Sequence, residues 1–254
     1  MNPVGQLCPL QASSRRLLFT RVCVHWCVRR SSVRAVCFDL DGTLFDDRQY
    51  ARAGLCSAAE ELRRRTGVDL TEEFLRAYFR DGHREATFDV VLSEAGLADD
   101  HVPALVSAYH DNDAPLVPYP DAEATLERLE RTYHIGVITG GTNGREKLSR
   151  LGLDDRVDEV IVTAERADSK RSPEPFVEMA KRFGVPETTM AFVGDRPALD
   201  FPQPNGLGML TVRLMRGRYA DAVARNAAAP DVAVSSLDDI PGIVTPFDEQ
   251  LEQP

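Results

Sequence analysis

Acidic residues are missing from the start of this chain. Residues 1–38 hold six arginines (15, 16, 21, 29, 30 and 34) and no Asp, Glu or Lys. An arginine-rich, acid-free stretch fits a transit peptide better than a secretory signal, because its charges interrupt any apolar centre. The same arginines leave no run of transmembrane length, so no membrane partner is expected. Cysteine is scarce and poorly placed for crosslinking. Of five, Cys8, Cys23, Cys27 and Cys37 fall in or beside this segment and Cys56 stands alone. That excludes a disulfide framework and points to the cytoplasm, with organellar import left open by the basic start. Cys23, His25 and Cys27 offer too few ligands for a zinc clip. Residues 1–32 read as a disordered or targeting extension, or as sequence upstream of the true start. There is no internal repeat.

The remainder is long enough for one large α/β domain carrying an insertion. Past residue 38 it holds 24 basic and 40 acidic residues, a net of −16. An acidic body argues against nucleic acid as the main partner. It leaves room for an anionic substrate, since a local cation can invert the field.

Residues 33–38 predict a buried strand that ends on Asp39 and Asp41, followed by Gly42 and Thr43. Two acids two residues apart point the same way in extended chain, and they repel unless a cation or lysine sits with them. Residues 48–112 then show helical periodicity and no convincing strand. Ala51, Leu55, Ala58 and Leu62 predict a helix stopped by Gly67, and Thr71-Glu72-Glu73 reads as the start of another. Phe88, Val91, Leu92 and Ala95 predict a third, closed by Gly96, and 103–110 a fourth. From 121 strands and helices alternate. Asp121 is expected to cap a helix. Strands follow at 134–139, 159–163, 190–193, 209–214 and 232–234, with helices near 144–151, 174–183 and 219–228. This alternation predicts an α/β fold with a doubly wound parallel sheet, over 33–47 and 113–245, with a helical insertion at 48–112 and a polar tail at 246–254.

In such sheets ligands bind beyond the carboxyl ends of the strands. The notable polar residues fall there: Asp39 and Asp41, then Thr139 with Gly140 and Gly141, then Lys170, then Gly194-Asp195 with Asp200. Each alone reads more simply as a turn or a solvated side chain. The ordered set Asp39-Leu40-Asp41-Gly42-Thr43, Thr139, Lys170 before Ser172-Pro173-Glu174-Pro175-Phe176, and Asp195 with Asp200 resembles the haloacid dehalogenase superfamily across about 33–240. The insertion is similar to that superfamily's helical cap.

The resemblance implies a phosphatase acting on a small phosphorylated metabolite such as a sugar phosphate, a nucleotide or phosphoglycolate. Asp39 would be the nucleophile, forming an aspartyl-phosphate, and Asp41 the proton carrier. Thr139 and Gly140 would hold phosphoryl oxygens, and Lys170 would neutralise charge. Mg²⁺ would be bound by Asp39, Asp195 and the main-chain carbonyl of Asp41. Asp200 would complete the acidic shell. Dehalogenases displace halide without a proton and typically lack the second acid, so Asp41 favours phosphoryl transfer. A phosphomutase of the β-phosphoglucomutase type, a phospho-accepting signalling domain and a catalytically idle binding protein are the alternatives. Gly140, the short loop after it, Arg171, Pro202 and Pro204 depart from the usual pattern. Arg52, Arg80, His83 and Arg84 are candidate cap contacts to an anion, each more commonly a solvated helix residue. His25, His101, His110 and His134 show no catalytic pairing.

Overall fold

The computed structural model describes residues 32–246. The readings made of the arginine-rich extension and of the tail beyond Pro246 lie outside the described residues. Six strands form one parallel sheet: β1 (Ala35–Phe38), β2 (His134–Thr139), β3 (Glu159–Val162), β4 (Met190–Gly194), β5 (Leu210–Leu214) and β6 (Val232–Val234). Their spatial order is β3-β2-β1-β4-β5-β6. β1 is central because it has no residue fit for water. Ala35, Val36, Cys37 and Phe38 are all fully buried, which requires cover on both faces.

Period-two alternation divides that cover. Val36 and Phe38 join one core with Leu126, Leu129 and Leu148, whereas Ala35 and Cys37 join another with Phe176, Met179 and Ala180. The first set comes from α5 (Ala122–Leu129) and α6 (Gly144–Arg150), the second from α7 (Glu174–Phe183). Chain connections run from β1 to neighbours on both sides, so the loops after β1, β2 and β4 part around one crevice.

Between β1 and β2 lies a helical layer of α1 (Arg48–Thr66), α2 (Thr71–Phe79), α3 (Thr87–Glu94) and α4 (Val102–His110), without a strand. Its apolar stripes meet in a third core, including Leu55, Leu62, Phe74, Leu92 and Leu105. Phe74 and Phe88 pack edge to face at 5.2 Å. Gly67 ends α1 with φ 79°, its N–H on the Arg63 carbonyl. No helix among the described residues is long and apolar enough to cross a membrane.

Three local expectations change. The first strand is broken at Arg34, so Val33 pairs with Pro246 in a separate short ladder. The helix expected near 219–228 is absent, and only short turns at Gly217–Tyr219 and Asn226–Ala228 appear. Val223 is 73% exposed there, so a helix would have no apolar face to bury. Asn205 Nδ2 instead donates to the carbonyls of Ala227 and Ala229, each at 2.8 Å. Asp121 does stand at the N-cap of α5 but makes no side-chain capping bond. Its carboxylate takes Arg216 at 2.8 Å, with the Ser236 hydroxyl and the Leu237 N–H. A guanidinium is the stronger partner for an ionised acid.

Candidate active site

The crevice at the strand ends holds a cavity of about 260 Å³, lined by Asp39, Asp41, Thr139, Gly140, Lys170, Asp195 and Asp200 among others. All seven residues singled out by sequence therefore meet in one place. Asp39 is fixed by its backbone, whose N–H bonds the Val193 carbonyl at 2.8 Å. Gly42 turns the chain beyond it with φ 90°, and a Cβ there would lie 2.5 Å from an Asp195 oxygen. Only glycine allows both the turn and that approach.

Lys170 reaches in from the loop before α7. Its ammonium donates to Asp39 Oδ1 at 2.6 Å and to Asp200 Oδ1 at 2.5 Å, and it is only 2% exposed. Burial alone would depress its pKa, but Asp200 and Asp39 outweigh that and raise it. Asp200 is fully buried on α8 (Pro197–Asp200), where its second oxygen accepts the Arg196 N–H at 2.8 Å. Pro202 opens a separate short helix, α9 (Pro202–Gly206).

Oxygens of Asp39, Asp195 and Asp200 all lie within 4.8 Å of one another. Burial, opposed in part by Lys170 and reinforced by Asp200 and Asp41, pushes Asp39 up to about 7. Burial, with Asp39 and Asp200 adding to it, pushes Asp195 up to about 8. One lysine thus leaves this acid cluster short of positive charge. A hard divalent cation is what such an all-oxygen donor set fits, so the cluster can hold a metal.

Asp41 is placed apart from that trio. Its Oδ2 accepts from the Thr139 hydroxyl at 3.2 Å, and its Oδ1 from Lys147 Nζ at 2.7 Å. The Gly141 N–H donates to Thr139 Oγ1 at 3.2 Å. Lys147, on α6, is 3% exposed and sits 4.3 Å from the centre of the Tyr50 ring on α1. The motifs do not point to Lys147. One signal did exist: it is one of three lysines in a chain with 30 Lys and Arg together.

His110 is also more engaged than its sequence context suggests. Its Nδ1 lies 3.0 Å from Thr142 Oγ1, and its carbonyl accepts from Asn143 Nδ2 at 2.9 Å. Burial and the nearby Lys147 lower its pKa. The His110 ring thus ties the helical layer to the loop after β2. Of the four cap candidates, Arg52 lies over Phe79 at 5.3 Å, while His83 and Arg84 line a neighbouring cavity that Arg80 does not reach. Asp47, Arg196, Arg218 and Tyr219 line the main cavity and are carried by no motif.

A family model described as haloacid dehalogenase-like hydrolase matches residues 33–202. The chain belongs to this family of hydrolases. Within it the chain is phosphatase-like. A glyceraldehyde 3-phosphate phosphatase of Methanopyrus kandleri is 35% identical over 207 residues, spanning 76% of this chain and 89% of that protein. A phosphoglycolate phosphatase of Neisseria meningitidis serogroup A is 30% identical over 222 residues, spanning 82% of this chain and 92% of that protein. The crystal structure of a predicted phosphoglycolate phosphatase from Haemophilus somnus 129pt superposes with a TM-score of 0.64 at 22% identity, covering 83% of this chain and 97% of that one. At that identity the likeness is one of fold.

For this hydrolase the raised carboxylates give a signed pH dependence. Groups whose folded pKa is raised stabilise the fold at low pH and lose that contribution as pH rises through the folded value. With Asp39 at about 7 and Asp195 at about 8, the loss runs from the ordinary carboxylate range up to about pH 8. In EDTA the melting temperature should fall between pH 5 and 8. Saturating Mg²⁺ should flatten that fall, because a cation favours the ionised acids. Calorimetric scans at several pH values, with and without Mg²⁺, read both trends. A melting temperature in EDTA that climbs over this window contradicts the account.

Proposed function

We propose that the chain is a Mg²⁺-dependent phosphatase of a small phosphorylated metabolite, working through an aspartyl-phosphate on Asp39. The observation that carries this reading is the separation of the two motif acids. Asp39 is held by Lys170 beside Asp195 and Asp200, whereas Asp41 is held by Thr139 and Lys147. Two carboxylates in different surroundings can take different roles.

In the proposed reaction the Asp39 carboxylate attacks phosphorus, and Lys170 steadies it through Oδ1. Asp41 gives a proton to the departing oxygen. It then takes one from the water that attacks phosphorus in the aspartyl-phosphate, which frees phosphate and restores Asp39. Thr139 and the backbone of Gly140 line the place of the phosphoryl oxygens, where the Thr139 hydroxyl can turn from Asp41 to the substrate. Bound Mg²⁺, held by Asp39, Asp195 and the Asp41 carbonyl with Asp200 behind them, would neutralise charge on the transferring group. Lys147 acts as a positioning residue, keeping Asp41 aimed at the cavity. The helical layer over residues 48–112 serves as a cap that excludes water.

A cavity of about 260 Å³ suits a small ligand. Two- and three-carbon phosphate esters, like those in the names of the relatives, fit that size. The acidic body keeps nucleic acid an unfavoured partner. Cys37 and Cys56 are free thiols, in keeping with a reducing cytoplasm.

Phosphate release from a panel of phosphate esters, with Mg²⁺ and with EDTA, tests the reading. Release should require the metal, and Asp39→Asn should lower it by about a thousandfold or more. No metal-dependent release by folded protein, or full activity of Asp39→Asn, counts against it. Lys147→Met should lower kcat by about a hundredfold with KM little changed, the pattern of a misaimed catalytic group. Equal losses in substrate binding and melting temperature, with kcat retained, would instead mark Lys147 as structural.

A further inference from the structure

Beside the main cavity lies a second of about 440 Å³, which shares Arg196, Arg218 and Tyr219 with it. The opposite wall comes from the helical layer: Tyr78 of α2, and His83 and Arg84 of the loop before α3. Three guanidinium groups thus converge on one hollow in a chain of net charge −10.

An acid accounts for only one of the three. Arg218 meets Asp47 at 2.9 Å, but among the described residues no carboxylate pairs with Arg84 or Arg196. Aromatic faces hold them instead. Arg84 lies 5.8 Å from the Tyr78 ring centre and Arg196 5.1 Å from that of Tyr219. Arg218 lies 5.9 Å and 6.0 Å from the same two rings. A guanidinium lying over a ring face can still offer N–H donors to another partner. The loop that carries Arg84 is tied down. The His83 N–H bonds the Ala77 carbonyl at 2.9 Å, and the Thr87 hydroxyl bonds the His83 carbonyl at 2.6 Å. Glu85 also lines the hollow. Counted with Asp47, it still leaves an excess of positive charge.

The transferred phosphoryl group does not need this hollow, since Lys170 and Thr139 face it in the first cavity. We propose that the hollow receives a second anionic group at the far end of the same substrate. The preferred substrates are then phosphate monoesters that also carry a carboxylate or a second phosphate, rather than esters with a neutral tail. This rests on the phosphatase reading of the first cavity.

The test compares kcat/KM of the full chain with Mg²⁺ for four compounds. Phosphoglycolate and fructose 1,6-bisphosphate have charged tails; glyceraldehyde 3-phosphate and glycerol 3-phosphate do not. The charged tails should be favoured by about tenfold or more, the size expected of hydrogen bonds between charged groups. Phosphoglycolate and the bisphosphate together report whether carboxylate or phosphate is the better fit. Arg84→Gln or Arg196→Gln should lower the charged-to-neutral ratio by about tenfold. Arg80→Gln, at a residue lining neither cavity, should leave that ratio in place. Calorimetry with phosphonoacetate against ethylphosphonate makes the same comparison without turnover. Equal use of both classes, or a ratio that neither variant moves, overturns the proposal. Absent turnover with the calorimetric preference intact would support the hollow and overturn the phosphatase reading.

Discussion

One buried ammonium holds the strand ends together. Lys170 bridges Asp39 and Asp200, and all three side chains are buried. Three carboxylates converge there from the ends of β1 and β4 and from α8, and their mutual repulsion is strongest where solvent cannot screen it. Removing one member of such a group leaves a buried charge without its partner, a loss of about 3–5 kcal/mol. The rest follows from delivering these groups to one point. A fully apolar β1 places Asp39 at the centre of the sheet. Gly42 permits Asp195 to approach, and the loop before α7 brings Lys170.

A second ion pair, with its own lysine, holds Asp41. Lys147 and Thr139 take its two oxygens, and Lys147 in turn lies against Tyr50 of the helical layer. The same layer reaches the loop after β2 through His110 and Asn143. Asp41 is thus linked through Lys147 to the helical layer, whereas Asp39 is held by the core alone.

The sheet was legible because its strands are short, apolar and bounded by glycine, proline or acid. In the inserted layer α1 and α3 were legible through period 3.6 and the glycines that follow them, and α2 through the acids of its first turn. Asp39, Asp41, Thr139 and Asp195 could be read because they stand at strand ends, and Lys170 and Asp200 because they follow in the order of a family motif. Lys147 was hidden because its neighbour, Asp41, lies 106 positions away in the chain. Arg84 and His83 could be named as cap candidates, whereas Arg196 and Arg218 were hidden, because surface arginines are common enough to mask them. The segment near 219–228 misled because alanine-rich sequence has helical propensity, and propensity yields where there is no core to face. Asp121 misled because a cap position does not oblige its carboxylate to cap when Arg216 is within reach.

The central claim is that Asp39, steadied by Lys170, carries the phosphoryl group covalently. Rapid acid quenching during turnover of a good substrate, followed by reduction with borohydride and peptide mass analysis, tests it most directly. The account predicts one modified position, Asp39, whose side chain is reduced in step with turnover and not without substrate. Phosphate release with Asp39 unmodified, or modification at Asp41, Asp195 or Asp200 instead, would contradict it.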